Sequence, residues 1–600
     1  MIVTEWQARH GLSASDYQQQ FDLLESQGYR LVKVAGYCEN NQARYAGIWY
    51  KRGGNRWQAR HGISPAAYQQ AVTDLDQQGY RPTHVSVFTI GDQQFFSAIW
   101  EQQRGLPWIA RHGLTSAEYQ QLFDELSSQG WRLRCVSGYE VEGDARYACI
   151  WDRYAGPAWA ARHGIDAAGY QQAFDELAGQ GFRLIQVVGY PVRGSSRFAA
   201  IWEQSPGHDW KARHGIPAAD YQYEFNDAVG HGFRLADVSG YAVGSSAEFT
   251  TIWEHAAADN PNADAVSARV IPFMQKWSVP GLSLAVARWG NVISTRYFGY
   301  ANPITREIVT SSTRFRIASV SKPITASTIF KLVEQNQLAL TDTIFGVGAR
   351  LGTQFGTLPY GPNIVNITLQ HLLEHTSGGW PNDGNDPMFQ QTNLSAGDLI
   401  SWTLNNQPLL NTPGQAYRYS NFGYCVLGRV IETVTGQTYA NAVRNLILAP
   451  SGITQMTIAG NTAADRQYPE AIYYGVDLQA PYELPVERMD AHGGWIATPS
   501  DLLQFLMRVD GFANPVDVLQ AGTVTAMATP SAANPGYARG WAVNTAGTRW
   551  HNGTLAGTQS ILVRTANQHE WAAVCNTGNP ANQQLGLDLD ALMWQVDAVV

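Results

Sequence analysis

The sequence predicts an α+β protein in two parts. Residues 1–255 read as five helix-plus-hairpin repeats, 256–264 as a linker, and 265–600 as a second domain of mixed helices and strands. Three observations carry this. Trp6, Trp57, Trp108, Trp159 and Trp210 each open a Trp-x-Ala-Arg-His-Gly block, with 51 residues from each to the next. A second series, Trp49, Trp100, Trp151, Trp202 and Trp253, keeps the same period. The period then stops at a polar, Ala-rich stretch containing Asn260-Pro261, a composition expected between domains. Five copies without length drift signal one structural unit stacked on itself.

Within each unit, Ser13, Ser64, Thr115 and Asp166 stand where a helix N-cap is expected, whereas the fifth copy has Pro217 there. Tyr17, Phe21 and Leu24 fall on one face of the helix that follows. Gly28, Gly79, Gly130, Gly181 and Gly232 suit the left-handed residue just past its end. Two strand-like runs, 31–37 and 43–49 in the first copy, form a hairpin through a polar turn. Whether the units close into a ring or form an open arc is not readable. The recurring His10, His61, His112, His163 and His214 would suit a ligand ring, but repeated Arg-His-Gly is better read as a packing and turn element. The same holds for Tyr37, Phe88, Tyr139, Tyr190 and Tyr241, which either line a binding face or, as preferred here, pack the core.

In the second domain, 265–277 reads as a helix with a kink or break at Pro272. Strands follow at 282–287 and 292–298 around a Trp289-Gly290-Asn291 turn, and Ile329, Leu332 and Val333 mark a helix after Pro323. Near the C-terminus, strands at 560–563 and 571–575 precede a closing helix at 581–596.

The chemistry concentrates in three motifs. Ser319 and Lys322 lie three apart at a helix start and so share a face. A hydroxyl needs a neighbouring base and an oxyanion site to act as a nucleophile, and a lysine in a dry site has its pKa lowered enough to serve. Tyr419-Ser420-Asn421 follows the turn-like Pro413-Gly414, and His551-Asn552-Gly553 lies between strands near the end. His371-Leu372-Leu373-Glu374-His375 matches an inverted zinc-peptidase pattern, but zinc would want a third protein ligand, and no metal or cofactor is expected.

The order Ser-x-x-Lys, Tyr-x-Asn, [Lys/His]-x-Gly resembles the serine β-lactamase and penicillin-binding-protein superfamily, in the branch with class C β-lactamases, D-peptidases and related esterases. That resemblance implies an antiparallel sheet packed by helices, plus a helical subdomain. It implies an acyl-enzyme on Ser319, with Lys322 and Tyr419 sharing the proton work and Asn421 bonding Lys322 or a substrate amide. By the same resemblance the backbone N–H groups of Ser319 and Thr554 form an oxyanion hole. Gly553, lacking a side chain, would let a substrate strand approach closely. His551 stands where β-lactamases commonly have lysine, a change that favours neutral peptides or esters. The 51-residue blocks resemble the repeats that precede the catalytic region of polyglycine hydrolases, secreted fungal proteases that cut Gly–Gly bonds in linkers of plant chitinases. The expected function is therefore a secreted serine endopeptidase acting on a glycine-rich linker in a partner protein, with the repeats docking that partner. An esterase, a D-amino-acid peptidase or β-lactamase-like enzyme, and a catalytically inactive binding protein are the alternatives.

Composition narrows the field. The net charge of −9 argues against a general nucleic-acid role. No apolar run is long enough for a membrane span. The start, Met1 through Trp6, is not a secretion signal, so the protein is cytosolic or its signal lies outside this sequence. The five cysteines contain no C-x-x-C pair. Cys135 and Cys149 fall on the two strands of one hairpin and could pair or remain as core thiols.

Overall fold

Each repeat folds as strand, helix, strand, strand; in the first copy these are Trp6–Leu12, Ala14–Ser26, Tyr29–Glu39 and Gln42–Lys51. The computed structural model describes residues 5–104, 106–255, 262–475 and 480–600, so residues 256–261 of the expected linker lie outside it. The helix and hairpin are as expected. A third strand, beyond the expected hairpin, is formed by the Trp-x-Ala-Arg-His block itself. It pairs with the last strand of the unit, putting that strand at the centre of a three-stranded sheet. The caps also hold: Ser13, Ser64, Thr115 and Asp166 accept from backbone N–H groups in the first turn, and Pro217 makes no such bond.

The repeats close into a ring. The middle-sequence strands touch in cyclic order, and Tyr29–Glu39 of the first repeat meets Phe233–Val243 of the fifth. Each block histidine lies against the helix tyrosine of the preceding repeat: His61 on Tyr17 at 4.8 Å, His163 on Tyr119 at 4.7 Å and, across the closure, His10 on Tyr221 at 4.4 Å. Burial holds all five of these imidazoles below their ordinary pKa. The recurring aromatics Tyr37, Phe88, Tyr139, Tyr190 and Tyr241 are likewise core residues. The Tyr37 ring sits where a Cβ on Gly240 would be, 2.5 Å from its Cδ1, so glycine there lets the first and fifth repeats meet.

Cys135 and Cys149 are free thiols. Their registers, Cys135 opposite Ile150 and Val136 opposite Cys149, point them to opposite sheet faces and into different hydrophobic clusters.

The second domain is built on a seven-stranded antiparallel sheet. Its order runs Glu307–Ile308, Asn291–Asn302, Gly281–Arg288, His569–Cys575, Thr558–Arg564, Arg549–Leu555, Ala542–Val543. Helices Ser267–Lys276 and Gln584–Asp597 close one face through Val270, Trp571, Leu589 and Met593. The first of these continues through Pro272 without the break that proline predicted. The other face packs the helix Ser321–Glu334 and a largely helical region that includes Asn421–Thr435 and Pro499–Leu506. Among the described residues no helix is long and apolar enough to cross a membrane.

The ring is seated on this domain. Arg306, in the turn after Asn291–Asn302, reaches into it and donates to the carbonyls of Leu184 and Ile185 while pairing with Glu254. Arg183 answers by donating to the carbonyl of Thr305 at 2.8 Å, and Ala155 N–H donates to the Ala463 carbonyl at 2.9 Å.

Candidate active site

Phe315–Arg316 pairs with Trp495–Ala497, and the chain then turns sharply into a single 3-10 turn, Ala318–Val320, before the helix Ser321–Glu334. Ala318 is left-handed, with φ of 47°, a conformation that costs a non-glycine residue energy and is often held at functional sites. Ser319 is the half-buried residue of this otherwise buried turn. Strand Arg549–Leu555 presses against it. A Cβ on Gly553 would stand 2.2 Å from the Ile317 carbonyl oxygen and 3.0 Å from the Ala318 Cβ. Gly553 therefore lets this strand lie against the chain's own Ile317 carbonyl and Ala318 side chain. Thr554 follows it at the edge of the Ser319 turn, its hydroxyl donating to Gln559 at 2.9 Å.

Lys322 is fully buried. Its Nζ lies 3.0 Å from Ser319 Oγ, 2.8 Å from Asn421 Oδ1 and 3.0 Å from the His492 carbonyl oxygen. Burial drives its pKa well below that of a free lysine, with Asp386 pulling the other way. A neutral amine has two N–H donors and one lone pair. The carbonyls of Asn421 and His492 take the donors, and the lone pair faces the Ser319 hydroxyl. After taking the serine proton, the ammonium has three donors for the same three oxygens. A proton can therefore pass from Ser319 to Lys322 with no heavy-atom rearrangement.

Tyr419 comes in from distant sequence. Its hydroxyl shares a hydrogen bond with Ser319, and its ring lies 4.8 Å from Lys322 Nζ. Burial raises its pKa far above the usual phenol value, so at neutral pH it is a phenol rather than a phenolate. Ser420 caps the helix Asn421–Thr435 through Gly423 N–H, which points Asn421 inward.

Four further neighbours of the site carry no signal in the sequence that marks them. Asp386 accepts from Asn421 Nδ2 at 2.9 Å and caps the short helix Pro387–Gln390; burial raises its carboxyl to about 6. An Asp-Pro step is a helix-start signal but says nothing of what else the carboxylate touches. His492 supplies the carbonyl to Lys322 and sits beside the Gly493-Gly494 segment. His375 and Tyr537 complete an aromatic wall behind Tyr419. Ser420 N–H donates to His375 Nδ1 at 3.1 Å, Tyr537 Oη lies 3.2 Å from both His375 Nε2 and His551 Nε2, and His551 Nδ1 is 2.8 Å from the Asn552 carbonyl. One proton arrangement satisfies the chain: His375 Nε2–H to Tyr537, Tyr537 O–H to His551, and His551 Nδ1–H to the carbonyl. Both imidazoles are then neutral. Burial, then the nearby Lys322, lowers His551 to about 3 and His375 well below its ordinary value. The position opposite Ser319 thus carries no fixed cation.

The zinc-like pattern is dispersed. His371 accepts from Thr368 N–H, Glu374 pairs with Arg539 at 2.7 Å, and His375 belongs to the wall just described. Among the described residues no group of three or more acidic, histidine or cysteine side chains is arranged to hold a metal ion.

Residues 266–592 match the family model described as Beta-lactamase. Residues 3–52, 54–103, 105–154, 156–205 and 207–256 each match one described as a polyglycine hydrolase-like structural repeat. Protein flp of Staphylococcus aureus is 25% identical over 304 residues, 49% of this chain and 59% of that protein. The chain thus spans about three fifths of the length of that relative. Esterase EstB of Burkholderia gladioli is 33% identical over 183 residues, 29% of this chain and 45% of the esterase. Among solved structures, the octameric penicillin-binding protein homologue from Pyrococcus abyssi aligns with a TM-score of 0.46 at 24% identity, covering 55% of this chain and 76% of that one. The protein belongs to the Beta-lactamase family, as a serine hydrolase of that fold carrying five polyglycine hydrolase-like repeats at its N-terminal side.

Proposed function

We propose that the protein is an acyl-transferring endopeptidase that cuts glycine-rich linkers in a partner protein. The observation that carries the chemistry is the fully buried Lys322 amine 3.0 Å from Ser319 Oγ. Lys322 accepts the Ser319 proton as Oγ bonds to the substrate carbonyl carbon. The resulting oxyanion meets the backbone N–H groups of Ser319 and Thr554, each such donor contributing about 2.7–4 kcal/mol. Tyr419, a phenol, passes a proton to the leaving nitrogen and is recharged from the Lys322 ammonium. Water then hydrolyses the ester on Ser319 by the reverse proton route. Asn421 and Asp386 act on Lys322 rather than on substrate.

Two features support an uncharged chain as substrate. The neutral His551 offers no ion pair to a substrate carboxylate. The repeats, held to the catalytic domain through Arg306, would keep a bound partner at a fixed distance from Ser319 and so raise the local concentration of a linker that has no side chains to grip. The test presents the full chain with a protein bearing a glycine-rich linker, a small ester and a cephalosporin. Internal cleavage of the linker, with little turnover of the cephalosporin, is expected. Ester turnover with an intact linker would replace the endopeptidase by an esterase.

A pH prediction follows from Asp386. Above about pH 6 its carboxylate is charged and favours the Lys322 ammonium. Asp386→Asn removes that attraction, so Lys322 stays neutral to lower pH. The acid limb of kcat/KM for the small ester should move to lower pH, and a limb that stays in place would show that Lys322 is not the group titrating.

A further inference from the structure

Tyr424 follows Asn421 by three residues on the helix Asn421–Thr435, so the two share a face. Asn421 offers Lys322 its Oδ1 at 2.8 Å, and Tyr424 offers it a ring. Lys322 Nζ lies 5.6 Å from the centre of the Tyr424 ring and 4.8 Å from that of Tyr419. Both distances fall within the reach of a cation–π contact, about 6 Å. Tyr424 is fully buried and is held from its far end. Its hydroxyl donates to the Leu373 carbonyl at 3.0 Å and shares a hydrogen bond with Tyr537, and its ring centroid is 5.1 Å from that of His375. The hydroxyl is thus taken up by the scaffold, and the ring face is what reaches the amine.

A buried ammonium needs compensation. Among the described residues, Asp386, at the cap of Pro387–Gln390, is the carboxylate that acts on Lys322, and it bonds Asn421 rather than Nζ. His375, His492 on Asp490–Gly493 and His551 on Arg549–Leu555 lie near as imidazoles that burial keeps neutral, and Lys322 lowers each further. The oxygens of Ser319, Asn421 and His492 meet the N–H donors. Part of the charge is therefore left to neutral groups. A phenol ring has a negative face but no formal charge, so it steadies an ammonium without adding a second acid that would hold Lys322 charged between turnovers.

We propose that Tyr424 is a positioning residue of the reaction, whose ring face, with that of Tyr419, steadies the charge on Lys322 while it carries the Ser319 proton. The inference rests on Lys322 being the base in the mechanism above. The proton leaves Ser319 Oγ as Oγ bonds to the substrate carbon, and Nζ then gains the charge that the two rings face. Passing a proton on to Tyr419 restores the neutral amine.

The test compares Tyr424→Leu with Tyr424→Phe in the full chain, reading kcat and kcat/KM for the small ester across pH. Without the π face the ammonium is less stable, so Lys322 loses its proton at lower pH. For Tyr424→Leu the acid limb of kcat/KM should move to lower pH by about one unit, and plateau kcat should fall about tenfold with KM little changed. Tyr424→Phe keeps the face and loses the hydroxyl's bonds, so its limb should stay in place while its thermal midpoint falls. Tyr424→Met, which fills much of the ring's volume without its face, makes the same comparison should the leucine variant fail to fold. A purely structural role predicts the opposite sign: a loosened site admits water, which favours the ammonium and moves the limb to higher pH. That shift, or an unmoved limb in Tyr424→Leu, would overturn the inference. Asp386→Asn separates it from the base assignment. If the Asp386→Asn limb moves and the Tyr424→Leu limb does not, Lys322 remains the base and the role of Tyr424 falls; if neither moves, both fall.

Discussion

Ser319→Ala should abolish turnover, lowering kcat for the small ester by about 10⁴-fold or more, since removal of a nucleophile leaves only binding and oxyanion stabilisation. The fold should survive, because Ser319 is half-buried in its 3-10 turn and the bonds that hold the segment are made by others: Ser321 Oγ to the Ala318 carbonyl at 2.7 Å and Ser560 Oγ to the Ile317 carbonyl at 2.7 Å. An unchanged thermal midpoint with lost turnover is the expected pair of results. Retained turnover would mean that another hydroxyl carries the acyl group.

Tyr419→Phe is the second large effect. The ring that lies on Lys322 and beside His375 would remain, with centroids 4.3 Å apart from His375 in the parent, so packing is preserved while one hydroxyl is lost. General acid–base partners contribute about 10²–10⁴-fold. The loss should appear in kcat more than in KM, and it should be smaller for an ester with a good leaving group, which needs no proton, than for a peptide amine. Equal losses on both substrates would assign Tyr419 to positioning instead of proton delivery.

The parts of the fold legible in the sequence were those with a local cause. Caps such as Ser13 and Thr115, the glycines at repeat helix ends, and the alternation in the hairpins each rest on a few adjacent residues. The third strand of each repeat was not legible. Trp6–Leu12 has neither a uniform apolar run nor a clean alternation, since it carries Arg9 and His10 and pairs only with a strand that follows it by some thirty residues. Ring closure was equally hidden, because nothing in the fifth copy announces that His10 will stack on Tyr221.

The candidate site divides in the same way. Ser319 and Lys322 are one helical turn apart, and Tyr419 and Asn421 share a motif. Asp386, His375, His492 and Tyr537 reach the site only through tertiary packing, and each has an ordinary local explanation as a cap, a turn or a core aromatic. Gly553 shows the limit of motif reading. The motif marks the glycine but does not reveal that a side chain there would meet the chain's own Ile317 carbonyl.

The central claim is that a buried, neutral Lys322 makes Ser319 reactive. The direct measurement is the rate at which a serine-reactive phosphonate labels Ser319, mapped by peptide mass analysis across pH. The account predicts a single adduct on Ser319, forming at a rate that reaches its plateau well below the ordinary lysine pKa. An adduct elsewhere, or a rate still climbing through that ordinary value as for a solvated amine, would contradict it.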